Sequence, residues 1–335
     1  MILCVIDGMN HRGFSLDLLP HLAEMAQRGA WGSFCTVPQG FLPETLCCNA
    51  SLLGLAAGQI PQHARAWLEA RGEKIPFTDQ DLLLRATRVA VKGGKTALLR
   101  QKGAQAGPLP AGVSAYAVDG CNTLLVAEKQ RGLLEKIICY PPHAHIGEPV
   151  EAMMPEGSGL LRQIARPQEG EALIPWAPSA AQELAPRFEN GAAICGVALV
   201  RGLAAALGLE CPMVCGATGK TDTDLPAKTQ AALEWSRKTE FVFLHFNGAD
   251  EAAHELDIQA KMAFLNKLDE QVLPRLSESG QPLLICCDHG SEPSDGSHSG
   301  GAQPFVLWNT PYRGNLGILE AAQALPLLKG AWKNG

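Results

Sequence analysis

Apolar residues recur along this chain in two rhythms. Short unbroken apolar runs suit strands covered on both faces, while apolar residues three and four apart suit helices packed on one side. Residues 1–7 (Met1-Ile-Leu-Cys-Val-Ile-Asp7) read as a buried strand, and residues 18–27 as a helix with Leu19, Leu22, Ala23 and Met25 on its apolar face. A second strand is predicted at 32–37 and a second helix at 46–56. The rhythm resumes late in the chain, with a strand at 192–198, a helix at 199–208, a short strand at 213–215 and a helix at 224–236. Then follow a strand at 241–246, one long helix over about 250–277, strands at 283–287 and 305–308, and a last helix near 316–329. Strands alternating with helices imply an α/β fold with a mostly parallel sheet between two helical layers.

The middle breaks this rhythm. From about residue 59 to 186 the chain is rich in proline, glycine and charge, as in Lys92-Gly-Gly-Lys95, Gln101-Lys-Gly and Tyr140-Pro-Pro-His143. Only 82–91 and 123–127 look like strands. Residues 59–186 are therefore expected to form an inserted α+β cap, which leaves 1–58 and 187–335 as one discontinuous α/β domain.

Composition narrows the function. With 335 residues, 46% hydrophobic and 19% charged, the chain has the make-up of a compact soluble protein. A net charge of −6 argues against a nucleic-acid or anionic-membrane surface. The first apolar run is too short and lacks the basic flank of a signal peptide or membrane span. The eleven cysteines include no Cys-x-x-Cys pair, and several sit in apolar runs, so reduced thiols in a cytoplasmic protein are expected. A small anionic substrate remains compatible, with its positive counterpart local or supplied by metal.

Four places carry candidate chemistry. The run Pro282-Leu-Leu-Ile-Cys-Cys ends in Asp288-His289-Gly290, and His298 follows in a glycine- and serine-rich loop. Loops past the carboxyl ends of strands are where open α/β sheets bind ligands. Asp7 ends the first strand, Asp250 and His254 share a helix face at i, i+4, and Thr45 opens an apolar helical run. Each has a plain alternative: a turn for Asp288-His289, a cap for Asp7, Asp250 and Thr45. Together they set oxygen and imidazole donors at four loop ends without cysteine, a set that suits Zn²⁺ or Mn²⁺. A P-loop at Gly219-Lys220-Thr221 is excluded, because the motif needs glycine where Val214 stands.

These motifs, in this order, resemble the archaeal-type cofactor-independent (2,3-bisphosphoglycerate-independent) phosphoglycerate mutases of the alkaline phosphatase superfamily. The shared phrases are Asp7-Gly8-Met9, the Leu-Leu-Gly54 after the nucleophile, Gly216-Ala-Thr-Gly219, Asp222-Thr-Asp, Asp250-Glu-Ala-Ala-His254, Asp288-His289 and His298-Ser-Gly. The middle shares Asp81-Leu-Leu-Leu-Arg85, Leu124-Leu-Val and Pro141-Pro-His-Ala-His-Ile-Gly147. The resemblance implies a three-layer αβα sandwich, alkaline-phosphatase-like, with an inserted α+β cap. It implies two divalent metal ions, Mn²⁺ or Zn²⁺, one held by Asp7, Thr45, Asp288 and His289 and the other by Asp250, His254 and His298. Thr45 would be the nucleophile, and a small phosphorylated metabolite the substrate.

The chain departs from the family in three respects. Threonine replaces serine at the nucleophile, the Gly-Arg-Gly phrase appears as Ala64-Arg65-Ala66, and the cap is shorter. Arg65 and Arg85 are the expected substrate anchors, with Lys220 a weaker one. The first expectation is thus a mutase-like phosphoryl transfer through a phospho-threonine. A phosphomonoester or phosphonate hydrolase is the alternative, and a non-catalytic metal-binding module the third reading. A monomer and a small homo-oligomer are equally compatible.

Overall fold

The structure, a computed structural model, describes residues 1–93, 95–98, 108–119, 122–168 and 170–331. The chain divides into two compact units, one made of Met1–Ile60 and Ala185–Gly335, the other of Pro61–Leu184. Among the described residues no helix is long and apolar enough to cross a membrane.

The first unit is built on a seven-stranded sheet. From edge to edge its strands are Gly314–Glu320, Ala30–Cys35, Gln303–Trp308, Leu283–Cys286, Ile2–Ile6, Phe241–Phe246 and Gly191–Ile194. Gln303–Trp308 runs antiparallel to both neighbours, and every other pairing is parallel. The expected α/β fold with a mostly parallel sheet is therefore present. Ile2 lies level with both Leu283 and Val242, so three parallel strands run side by side through the middle. All residues of Ile2–Ile6 and Phe241–Phe246 are buried, as an unbroken apolar run covered on both faces requires. The Pro20–Arg28 helix turns Leu22, Met25 and Ala26 into the core, and Pro20 at its first position loses no intrahelical bond.

Three expected elements differ. Residues 213–215 form no strand, and Met213 is exposed; the short bridge to the Gly191–Ile194 strand is made by Glu210 instead. Three apolar residues are too few to sustain a ladder of their own. The long helix over 250–277 is three helices, Gly248–His254, Ile258–Gln271 and Leu273–Ser277. The first break is at Leu256, at φ +58°, where Asp257 accepts from the Ala260 amide at 2.9 Å and caps the next helix. The second is before Pro274, which has no amide to continue the ladder. The helix near 316–329 shrinks to Ala324–Leu328, and Gly314–Glu320 is an edge strand with Gly317 at φ +77°. Two glycines in seven residues defeat a helical reading of that stretch.

The second unit holds a five-stranded antiparallel sheet. Leu82–Lys92 is its hub, pairing with Lys95–Leu98, Asn122–Ala127 and Glu171–Ser179, while Val113–Asp119 pairs with Asn122–Ala127. The strands predicted at 82–91 and 123–127 are both there. Glu171–Ser179 escaped the sequence reading because Pro175 and Pro178 argue against a strand, yet among the described residues this one pairs with the sheet on a single side. The Gln101-Lys-Gly run and its neighbours, residues 99–107, lie outside the described residues.

Candidate metal centre

The three central parallel strands deliver their carboxyl ends to one place. Asp7 follows Ile2–Ile6, its amide bonded to the Phe246 carbonyl at 2.8 Å, and is fully buried. Asp288 and His289 follow the neighbouring strand Leu283–Cys286 and are also fully buried. On the other side, Phe241–Phe246 leads into the Gly248–His254 helix, which presents Asp250 and His254 from one face. His298 returns to this point because His298–Ser299 pairs with Gly290–Ser291 in a two-residue ribbon. Thr45 stands at the first position of the Thr45–Leu52 helix.

The seven residues singled out from the sequence converge in two overlapping groups. His289 Nε2 lies 3.3 Å from Asp7 Oδ1, 3.7 Å from Asp288 Oδ2 and 3.3 Å from Thr45 Oγ1. His254 Nε2 is 3.4 Å from Asp250 Oδ2, His298 Nε2 is 3.3 Å from Asp250 Oδ1, and the two Nε2 atoms are 3.0 Å apart. His289 joins the groups, since its ring stacks on that of His298 at 4.1 Å between centroids. Donor atoms of Asp7, Asp288 and His289 fall within 4.8 Å of one another, as do those of Asp250, His289 and His298.

The electrostatics of this cluster fit a cation. Both carboxylate oxygens of Asp7 are buried without a well-aligned hydrogen-bond donor. Burial, followed by the negative charges of Asp288 and Asp250, pushes the Asp7 carboxyl well above its usual pKa. Burial opposes ionisation of Asp250 too, but hydrogen bonds from His254 and His298 prevail and hold it well below the usual range. Three carboxylates at most 8% exposed, facing imidazole nitrogens, are donors without enough positive charge among themselves. Divalent ions that accept oxygen and nitrogen donors match that deficit. The placement of His298 also suits a ligand: Nδ1 donates to the Pro43 carbonyl at 2.9 Å, so the Nε2 that faces Asp250 is the atom an ion would take once it displaces the proton shared there.

The remaining sequence candidates have other partners. Lys220 is exposed, with Nζ 3.6 Å from Glu251 Oε1 beside Asp250, and its loop is pinned where Asn247 Nδ2 donates to the Gly219 carbonyl at 2.9 Å. Arg65 and Arg85 belong to the second unit and meet each other there. Both donate to Glu69 Oε1, at 3.2 Å and 2.9 Å, and both guanidinium groups lie over Trp176, at 5.7 Å and 5.4 Å. Arg85 is buried, whereas the Arg65 side chain is 39% exposed.

Sequence reasoning passed over three neighbours of the cluster. His245 is fully buried with Nε2 3.2 Å from Asp7 Oδ2, and burial lowers its pKa to about 4. An imidazole interrupting Phe-Val-Phe-Leu-His-Phe was the available signal. Asn49 Nδ2 donates to Asp288 Oδ2 at 2.8 Å and to the Thr45 carbonyl at 2.9 Å, and its i, i+4 spacing from Thr45 was legible. Ser291 contacts Asp250 and His289. Nothing in a Gly-Ser turn announces that.

Comparison with known proteins gives the chain a family and a fold. The sequence model of the metalloenzyme superfamily matches residues 17–325. A 2,3-bisphosphoglycerate-independent phosphoglycerate mutase of Methanosarcina acetivorans is 27% identical over 341 residues, covering 87% of this chain and 83% of that protein. The fold is similar to a Pyrococcus horikoshii protein, at a TM-score of 0.69 and 20% identity over 100% of this chain and 98% of that one. It is also similar to the cofactor-independent phosphoglycerate mutase of Thermoplasma acidophilum, at 0.56 and 19% over 99% of both chains.

Proposed function

The chain belongs to the metalloenzyme superfamily, and from that membership we propose a metal-dependent phosphoryl-transfer enzyme of the phosphoglycerate-mutase kind. Its substrate would be a small phosphorylated acid and its intermediate a phospho-threonine at Thr45. The observation that carries this is the Thr45 hydroxyl at a helix start, 3.3 Å from His289 Nε2 and beside a buried carboxylate–imidazole cluster.

In this reading Asp7, Thr45, Asp288 and His289 hold one divalent ion, and Asp250, His254 and His298 the other, with Mn²⁺ or Zn²⁺ the proposed metals. Bound there, the ions would supply the positive charge that favours an ionised hydroxyl and neutralises phosphoryl oxygens. The chain does the positioning. Asn49 ties the Thr45 carbonyl to Asp288 and so holds the nucleophile against the ligand cluster. First-turn amides of the Thr45–Leu52 helix would be available to a phosphoryl group at Thr45, where the helix dipole favours negative charge. The Thr45 oxygen bonds to phosphorus as the ester oxygen departs and takes a proton. In a mutase a second hydroxyl of the bound acid then takes the phosphoryl group from Thr45; in a hydrolase water does. Threonine in place of serine and Ala64-Arg65-Ala66 in place of Gly-Arg-Gly keep the hydrolase as the second reading.

One assay separates the outcomes. Protein loaded with Mn²⁺ or Zn²⁺ is incubated with 3-phosphoglycerate and, separately, with an aryl phosphate, while isomer and free phosphate are followed in parallel. Isomer formation without phosphate release is the expected result. Phosphate release alone would establish the hydrolase, and no turnover of either compound by the loaded protein would refute both.

The two arginines are expected to part company. Arg65→Ala should lower kcat/KM by roughly 10–100-fold through KM, the worth of a charged hydrogen bond to an anionic substrate, with little change in stability. Arg85→Ala removes a buried partner of Glu69, itself only 3% exposed, and should lower the unfolding free energy by about 3 kcal/mol in a urea titration. Unchanged kinetics in the Arg65 variant would remove it from the substrate site.

A further inference from the structure

We propose that Ser291 is a positioning residue that serves both halves of the metal centre through one hydroxyl. The inference rests on the two-ion reading above and adds to it a residue outside the ligand set.

Ser291 is fully buried between the two groups. Its Oγ is hydrogen-bonded to Asp250 Oδ1 and lies 3.4 Å from His289 Nδ1. A carboxylate can only accept, so the single hydroxyl proton of Ser291 goes to Asp250. The oxygen can then only accept from the imidazole, which puts the His289 proton on Nδ1 and leaves Nε2 bare. Nε2 is the atom that faces Asp7, Thr45 and Asp288. The same hydroxyl therefore fixes the tautomer of a ligand in one group and the orientation of the carboxylate in the other. An apolar side chain could do neither, and a carboxylate could not donate to Asp250.

The backbone keeps this hydroxyl in place. The Ser291 amide donates to the Asn10 carbonyl at 2.9 Å, and Lys261 Nζ, fully buried, donates to the Ser291 carbonyl at 2.6 Å. Gly8 closes the other side. A Cβ there would stand 2.8 Å from Ser291 Oγ and 2.7 Å from Asp250 Cα, at φ +66°, so no larger residue fits between the first strand and this contact.

The test is a calorimetric titration of metal-stripped protein with Mn²⁺, beside ¹⁵N-histidine spectra of the metal-free form. Wild type should show two binding events, and Ser291→Ala should weaken both by roughly 10–100-fold, the usual cost of losing a hydrogen bond behind a metal ligand. Ser291→Thr, which keeps the hydroxyl, should restore most of the affinity. The ¹⁵N spectra should show the Nδ1-protonated form of His289 in wild type and a mixture of tautomers in the alanine variant, a change that mere loss of packing would not produce. If Ser291→Ala does not fold, Ser291→Cys, of similar size but a weak donor, carries the same test. Loss of affinity at only one position, or at neither, overturns the proposal while leaving the two-ion reading intact. A wild type that binds no Mn²⁺ overturns both.

Discussion

Thr45→Ala is expected to lower kcat by roughly 10⁴–10⁶-fold, the scale on which removing a nucleophile from an assembled site acts. Six of the seven donors remain in that variant, so calorimetry should still detect bound Mn²⁺ and separate loss of chemistry from loss of metal. Thr45→Ser keeps the hydroxyl and should retain most of the activity. The reason for singling out this residue is where the chain holds it. Its hydroxyl is 3.3 Å from a buried imidazole, and its carbonyl is braced by Asn49, which also grips Asp288. A hydroxyl whose only duty was to cap the helix would point at the helix's own amides. Here Glu44 is the capping residue, and Thr45 lies one position inside. Brief incubation with substrate followed by acid quench should leave one phosphoryl group on the wild type, mapped by peptide mass to residue 45. Full activity in Thr45→Ala, or a phosphoryl group on another residue, would remove Thr45 from the mechanism.

The parts of the fold that could be read in advance are those where local pattern and burial agree. Residues 1–7 and 241–246 are unbroken apolar runs, and nothing but a strand covered on both faces uses them that way. Gly314–Glu320 is the opposite case. Its residues are mostly exposed, and its pairing with Ala30–Cys35 is a tertiary event that no local period reports. The same distinction governs the metal centre. Asp7 and Asp288 are conspicuous because a carboxylate follows an apolar run with no intervening polar residue. His245 is chemically as conspicuous, but within a strand it reads as core, and only the register of Phe241–Phe246 against Ile2–Ile6 aims it at Asp7. Ser291 was illegible for a further reason. Its place opposite Asp250 depends on the ribbon that pairs it with His298, formed by residues seven apart in an irregular loop.

Asp7→Asn should make the metal-free protein more stable while abolishing its use of metal. Asp7 is fully buried, its oxygens lack well-aligned donors, and Asp288 and Asp250 add negative charge nearby. Without an ion this carboxylate is a net cost to folding. An amide removes the charge and supplies a donor, so the variant should gain about 1–3 kcal/mol in urea unfolding of stripped protein. The pH dependence has a defined sign. Folding raises the Asp7 pKa well above the ordinary carboxylate value of 3.8, so the folded state holds this proton more tightly than the unfolded chain. The Asp7 contribution to stability of the stripped wild type is full below that value and is lost as pH rises through the raised pKa. Divalent metal reverses the slope, because the ion binds only the ionised carboxylate and competes with the proton. The Asp7 component of stability should therefore fall with rising pH in stripped wild type and rise with it in loaded wild type, and Asp7→Asn should lack that component in both, read as the difference between the variant and wild-type pH profiles. Its Mn²⁺ affinity should fall by more than the roughly 10–100-fold lost with a supporting hydrogen bond, since a ligand itself is gone. A stripped variant less stable than stripped wild type would mean that the carboxylate is satisfied without metal, and would remove the electrostatic case for an ion at this position.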